Sequence, residues 1–313
     1  MKRNKKAILC CVLLLLAACV LPMQALAAST ADAKEPVDIA RACSLTLTYR
    51  ADAGAFAGQE VSLYMVAALD EEAQYRLAEP FSSYPISIET LPETTDWQAL
   101  AATVEAYALA DSVAPVQTAR TDADGKVCFS GLTPGIYLAS RVEAKREETT
   151  YRFAAFLIAV PGVSAAGSWE YDLAAAPKFE KQEPDWETVT YTVVKTWKDA
   201  GHAQKRPKSV TVEIYKEGVL QETQVLNAQN HWKYSWQTQE DGKQWTVVER
   251  GVGSGYQVRI YRNGYGFSVV NTYPGEGKPP KTGEDAACVL WVGALLAMTA
   301  AAGALLRRGM RHA

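Results

Sequence analysis

From about residue 40 to residue 273 the chain is written in short β-type runs separated by turn signals, a pattern that leaves room for little besides stacked sheets. Ser44–Tyr49, Val61–Val66, Lys126–Phe129, Ile136–Ala139 and Phe153–Val160 are such runs. Asp124-Gly125, Thr133-Pro134-Gly135 and Pro161-Gly162 stand between them. Regular spacing of this kind predicts an all-β fold of tandem immunoglobulin-like β-sandwiches. One helical insertion interrupts the first: Trp97, Leu100, Ala101, Val104 and Ala108 repeat at helical spacing after Asp96, an expected N-cap. The simplest place for this helix is against the first sandwich.

The two ends of the 313-residue chain read differently. Lys2, Arg3, Lys5 and Lys6 precede an apolar run from Ala7 to Leu21, and Ala25-Leu26-Ala27 supplies small residues at a cleavage position, which predicts a secretory signal peptide over 1–27. Leu16-Ala17-Ala18-Cys19 also resembles a lipoprotein cleavage box, but a chain cut there would begin with the still apolar Val20-Leu21-Pro22-Met23. At the far end, 286–306 carries no charge and Arg307, Arg308 and Arg311 follow, which predicts a transmembrane span. The exported middle divides at the polar, proline-containing stretch 179–185, giving a first domain over 28–180 and a second over 186–273. Residues 274–282 have the Pro, Gly and Lys content of an extended linker.

Composition excludes several functions. The middle holds 25 basic against 33 acidic residues, the wrong sign for a nucleic-acid binder. Of three histidines, His312 lies in the tail, and neither His202 nor His231 has partners at zinc-like or triad spacing, so no metal, no cofactor and no enzymatic turnover are expected. Cys43 and Cys128 are the two cysteines of the middle; in an oxidising compartment they form a disulfide or remain two free buried thiols.

Alternation in the second domain has an unusual consequence. Tyr191, Val193, Lys195 and Trp197 share a face, as do Trp245, Val247 and Glu249, and Phe267, Val269, Asn271 and Tyr273. The opposite faces are rich in Thr, Ser and Arg, so each inward face carries one hydrophilic group into the core. Burial lowers a lysine pKa and raises a glutamate pKa. A neutral amine beside an amide whose carbonyl is polarised by a protonated carboxyl is a nucleophile facing an electrophile, and the product is a Lys195–Asn271 isopeptide with Glu249 as catalyst. The same spacing also suits an ordinary salt bridge with a hydrogen-bonded Asn, or three side chains at strand ends that reach water.

Val194-Lys195-Thr196-Trp197-Lys198-Asp199, Arg206–Val212, Trp232-Lys233-Tyr234, Trp245–Glu249 and Val270-Asn271-Thr272-Tyr273, in that order, resemble a collagen-adhesin B-type (Cna-B-type) domain. The resemblance implies the Lys195–Asn271 isopeptide, assisted by Glu249. Pro279-Pro280-Lys281-Thr282-Gly283, an apolar span and an Arg-rich end resemble the cell-wall sorting signal of Gram-positive surface proteins over 279–313, with Pro279 where the usual motif has Leu. That resemblance implies cleavage by a sortase after Thr282 and transfer to peptidoglycan or another subunit. Gly125–Leu138, Phe156–Pro161 and Trp169–Lys178 resemble the N-terminal domain of sortase-assembled pilins, which implies Lys178 as the acceptor lysine, although Ala176 replaces the tyrosine of the pilin motif. Lys178 is otherwise an exposed linker lysine. The expected protein is an extracellular, wall-anchored pilus subunit or adhesin stalk. The alternative is a surface receptor for a host matrix protein or glycan, with a pocket formed by the first-domain insertions around 67–115.

Overall fold

Cys43, Leu45 and Leu47 are buried while Ser44, Thr46 and Thr48 between them are only half covered, so the alternation of the first run is realised in the strand Cys43–Thr48. The computed structural model describes residues 36–88, 94–164, 166–182 and 187–274. The predicted signal peptide, the sorting motif, the apolar span 286–306 and all of the linker but Pro274 lie outside the described residues.

In the first domain Cys43–Thr48 pairs in parallel with Asp172–Ala175 and antiparallel with Lys126–Leu132. Facing it is a sheet ordered Phe156–Val160, Gly135–Ala139, Glu60–Leu69 and Tyr75–Leu77, with Gln117–Arg120 also paired to Glu60–Leu69. Leu45, Leu47, Leu63, Phe129, Ile158 and Val160 lie in the core between them. A small third sheet joins Val142–Arg146, Thr149–Phe153 and Phe179–Gln182. The single run expected over Phe153–Val160 is therefore two strands, broken at Ala154-Ala155. The polar stretch read as a boundary contributes a strand to this domain as far as Gln182.

The second domain is a two-sheet sandwich. One sheet runs Lys233–Gln239, Thr188–Lys198, Gly266–Thr272 and Gln257–Asn263; the other runs Val219–Asn227, Ser209–Lys216 and Trp245–Arg250. Thr188–Lys198 and Gly266–Thr272, first and last in the domain, lie side by side in parallel. In the last hairpin Asn263 pairs with Gly266, leaving Gly264 and Tyr265 as the two turn residues, and Gly264 takes the positive φ of 55° that this turn requires.

The helix α1, Thr94–Ala110, departs from expectation in two ways. Asp96 lies inside its first turn rather than before it, and its carboxylate accepts the Tyr261 hydroxyl at 2.8 Å and faces Arg259 at 3.3 Å. The helix also packs on both domains. Leu100, Val104 and Tyr107 share a buried cluster with Ile136, Leu138 and Leu157 of the first domain and Tyr215 and Val248 of the second. Full burial of each Leu or Val contributes roughly 1.5–3 kcal/mol, so this shared cluster is a substantial link between the domains.

Candidate functional site

Parallel register between the first and last strands of the second domain opposes Lys195 to Val269 and Trp197 to Asn271. Lys195 and Asn271 thus lie two positions apart on adjacent strands and on the same inward face. Glu249 comes from the opposite sheet, on Trp245–Arg250, and reaches across the sandwich. All three are buried, with exposures of 4% for Lys195, 1% for Glu249 and 0% for Asn271.

The contacts among them are close. Asn271 Nδ2 donates to Glu249 Oε1 at 2.8 Å, while Glu249 Oε2 stands 3.6 Å from Lys195 Nζ, an ion-pair distance rather than a hydrogen-bond one. The amine donates to the carbonyl oxygens of Thr196 at 2.9 Å and Val269 at 3.2 Å. Asn271 Oδ1 is buried and accepts no hydrogen bond from the described residues. The carboxyl therefore meets the amide nitrogen, and not the carbonyl oxygen expected from the sequence.

Burial dominates the electrostatics. It pushes the Lys195 amine down to about 7, against the opposing pull of Glu249, and it pushes the Glu249 carboxyl up, against the opposing effects of Lys195 and the Asn271 amide. Both shifts favour an uncharged amine beside an uncharged carboxyl. The Trp197 ring forms one wall, its centroid 4.2 Å from Lys195 Nζ. Trp232 and Tyr256 meet that ring edge-on, and Arg206 lies over it while bound to Asp199 by two 2.6 Å hydrogen bonds. Arg206 and Asp199 also act on the Lys195 amine, the cation lowering its pKa and the anion raising it.

Tyr107 was not apparent from the sequence as part of this site. Its hydroxyl donates to the backbone oxygen of Glu249 at 2.8 Å, from a helix of the other domain. The signal in the sequence is that Ala99, Ala106 and Tyr107 are apolar residues beyond the stripe that defined α1, and in the structure they and Thr103 are buried.

The remaining sites separate clearly. Cys43 opposes Leu132 and Cys128 opposes Thr46; Cys43 is buried and Cys128 exposed, and both are free thiols. The structure corrects the disulfide alternative, because the pair is out of register and on opposite faces of its sheet. Cys128 is not buried either, so the two-buried-thiols alternative holds only for Cys43. Lys178 is exposed between buried Pro177 and the strand Phe179–Gln182, and its carbonyl accepts Ala154 N–H at 3.2 Å. In the segment considered as the wall of a receptor pocket, Phe81, Ile86, Leu100 and Tyr107 are buried, and Pro85 O accepts Val258 N–H from the second domain at 2.7 Å. Pro279, Pro280, Lys281, Thr282 and Gly283 lie outside the described residues.

Residues 189–272 match the Cna protein B-type domain family, and this part of the chain is a Cna-B-type domain. No curated protein matches the chain. Among solved structures, a single B repeat of the collagen-binding surface protein of Staphylococcus aureus aligns at 16% identity and a TM-score of 0.26, over 74% of this chain and 98% of that one. The full-length major pilin SpaD of Corynebacterium diphtheriae aligns at 18% identity and a TM-score of 0.28, over 75% and 65% of the two chains. The T6 backbone pilin of Streptococcus pyogenes aligns at 14% identity and a TM-score of 0.30, over 77% and 61%. Superpositions this loose do not bear on function.

Proposed function

We propose that this chain is a wall-anchored surface protein, a pilus subunit or adhesin stalk, whose second domain is locked by a Lys195–Asn271 isopeptide. The observation that carries the reading is the burial of Lys195, Glu249 and Asn271 together, with the amine 3.6 Å and the amide nitrogen 2.8 Å from one carboxyl. A buried ion pair contributes little to stability, since desolvation offsets most of the Coulomb attraction. The same three groups in their neutral forms are reactants.

In the reaction, Lys195 Nζ attacks Asn271 Cγ. A carbon–nitrogen bond forms there and the bond from Cγ to Nδ2 breaks. Glu249 accepts the proton released by the amine and delivers one to Nδ2, which leaves as ammonia. Nothing is oxidised or reduced, and the event occurs once per chain. Because it joins the first and last strands, pulling on the two ends of the domain loads a covalent bond rather than a ladder of hydrogen bonds.

Anchoring follows from the resemblance of 279–313 to a sorting signal: a sortase takes Thr282 as its acyl group and passes it to peptidoglycan or to another subunit. Lys178 is the residue to which a preceding subunit would be joined, and its exposure supports that role. With Ala176 in place of the motif's aromatic residue, we favour a minor pilin or a singly anchored adhesin over a shaft subunit.

Peptide mapping of the full chain tests the central reading. A branched peptide joining the Lys195 and Asn271 segments, one ammonia lighter than its parts, is expected, and it should be missing from Glu249→Ala. Separate, unmodified peptides from the native chain would end the proposal.

A further inference from the structure

The first domain closes the open side of the second. Trp245–Arg250 ends one sheet of the sandwich and Gln257–Asn263 ends the other, and each leaves backbone groups without a strand partner. α1 and the segment before it supply the partners. Thr103 Oγ1 accepts Ile260 N–H at 2.8 Å, Pro85 O accepts Val258 N–H, and the Tyr107 hydroxyl donates to the Glu249 carbonyl. Tyr107 is itself buried, its ring stacked on Tyr84 with centroids 4.7 Å apart, and the Arg250 guanidinium lies 5.7 Å from its ring centroid. Burial pushes its phenol pKa up, so it remains a hydrogen-bond donor across the pH range in which a protein works.

We propose that Tyr107 is a positioning residue for the Lys195–Asn271 reaction: by holding the main chain of Glu249 and shutting water out on that side, it couples closure of the bond to docking of the first domain. The inference rests on the isopeptide reading given above and adds a dependence that the second domain does not contain within itself. A carboxyl acting as a proton relay at 2.8 Å and 3.6 Å from two partners loses alignment with a small shift of its strand. Glu249 is on a strand with a neighbour on one edge only, so the helix is what holds the other edge. The charged and titratable groups around Glu249 are Lys195 on the first strand, Tyr107 on the helix and Arg250 beside it; Asp111, Tyr84 and Glu213 act one step away, through Tyr107 and Arg250. Asp199 and Arg206 act at one remove, through Lys195.

The test tracks formation of the cross-link with time in full chain made by cell-free synthesis, across a series of pH values. Tyr107→Phe keeps the ring and removes the hydroxyl. It should slow closure roughly 3- to 10-fold, the kinetic equivalent of one net hydrogen bond. It should also move the limb of the profile set by ionisation of Glu249 to lower pH, because water admitted at the strand favours the charged carboxylate. Asp111→Asn weakens the same interface without touching the hydroxyl and should slow closure less than Tyr107→Phe, with the limb unmoved. Closure of Tyr107→Phe at the native rate, slowing with an unmoved limb, or equal slowing and an equal limb shift in both variants would overturn the assignment of Tyr107. Those outcomes leave the isopeptide standing, whereas a native chain without any cross-link removes both.

Discussion

Arg250 holds Asp111 with two nitrogens, Nη2 at 2.5 Å from Oδ1 and Nη1 at 3.1 Å from Oδ2. The pair ties the residue that follows Glu249 to the residue that follows α1, across the boundary between the domains. Loss of this two-point contact in Asp111→Ala should reduce stability by about 1 kcal/mol, the upper end for a half-exposed pair, read as a lower denaturation midpoint. The hydrogen bonds from Arg250 hold the Asp111 carboxyl below its ordinary pKa. Its contribution is therefore complete above the unfolded carboxylate value and is lost as the pH falls through the depressed one. Native chain and Asp111→Asn should differ in midpoint above about pH 4 and converge under more acidic conditions.

Closing a loop from residue 195 to residue 271 removes conformational freedom from the unfolded chain, worth roughly 4–5 kcal/mol in the chain-entropy model. Asn271→Ala keeps Lys195 and Glu249 but has no electrophile. Calorimetry of this variant should show the second domain melting well below its native temperature, and coincident melting of the two chains would mean that no bond contributes.

Closure of the bond needs the amine uncharged. With the Lys195 pKa near 7, the rate should fall as the pH drops below about 7 and the ammonium accumulates. It should fall again at high pH, where Glu249 loses the proton it must deliver. Timed peptide maps would reveal this bell, and a rate that climbs without limit into alkali would remove Glu249 from the role of acid.

Thiol labelling reads the cysteine geometry directly. Cys128 on the outer face should react with a maleimide in the folded chain 28–282. Cys43, buried and pushed up to about 11 by burial and the neighbouring Asp172, should react only after unfolding. Cys128→Ser should leave stability within about 0.5 kcal/mol of native, as for other exposed positions.

Anchoring and polymerisation are separable. Thr282→Ala should release the protein to the medium or leave it in the membrane fraction, and covalent retention in the wall would refute the sortase role. Denaturing gels of wall digests should show a single band for a singly anchored protein; a ladder that collapses to monomer in Lys178→Ala would instead identify a shaft subunit.

Strand periodicity is a local property, and it was enough to place Lys195, Glu249 and Asn271 on inward faces from sequence alone, because each is two residues from an apolar neighbour on its own strand. The β character of the chain and the position of the helix were legible for the same reason. What α1 packs against was not. Its second buried face, with Thr103 and Tyr107, meets strands about 140 to 160 residues further on, and no periodicity within the helix names a partner at that distance. The cysteine pair shows the same limit in its pairing: alternation puts Cys43 with Leu45 and Leu47 and Cys128 opposite Val127 and Phe129, but a register shift between Cys43 and Leu45 decides that Cys43 opposes Leu132. Composition and alternation determined which side chains leave water; the tertiary structure alone decided which of them meet, because a buried face is defined by the element that covers it.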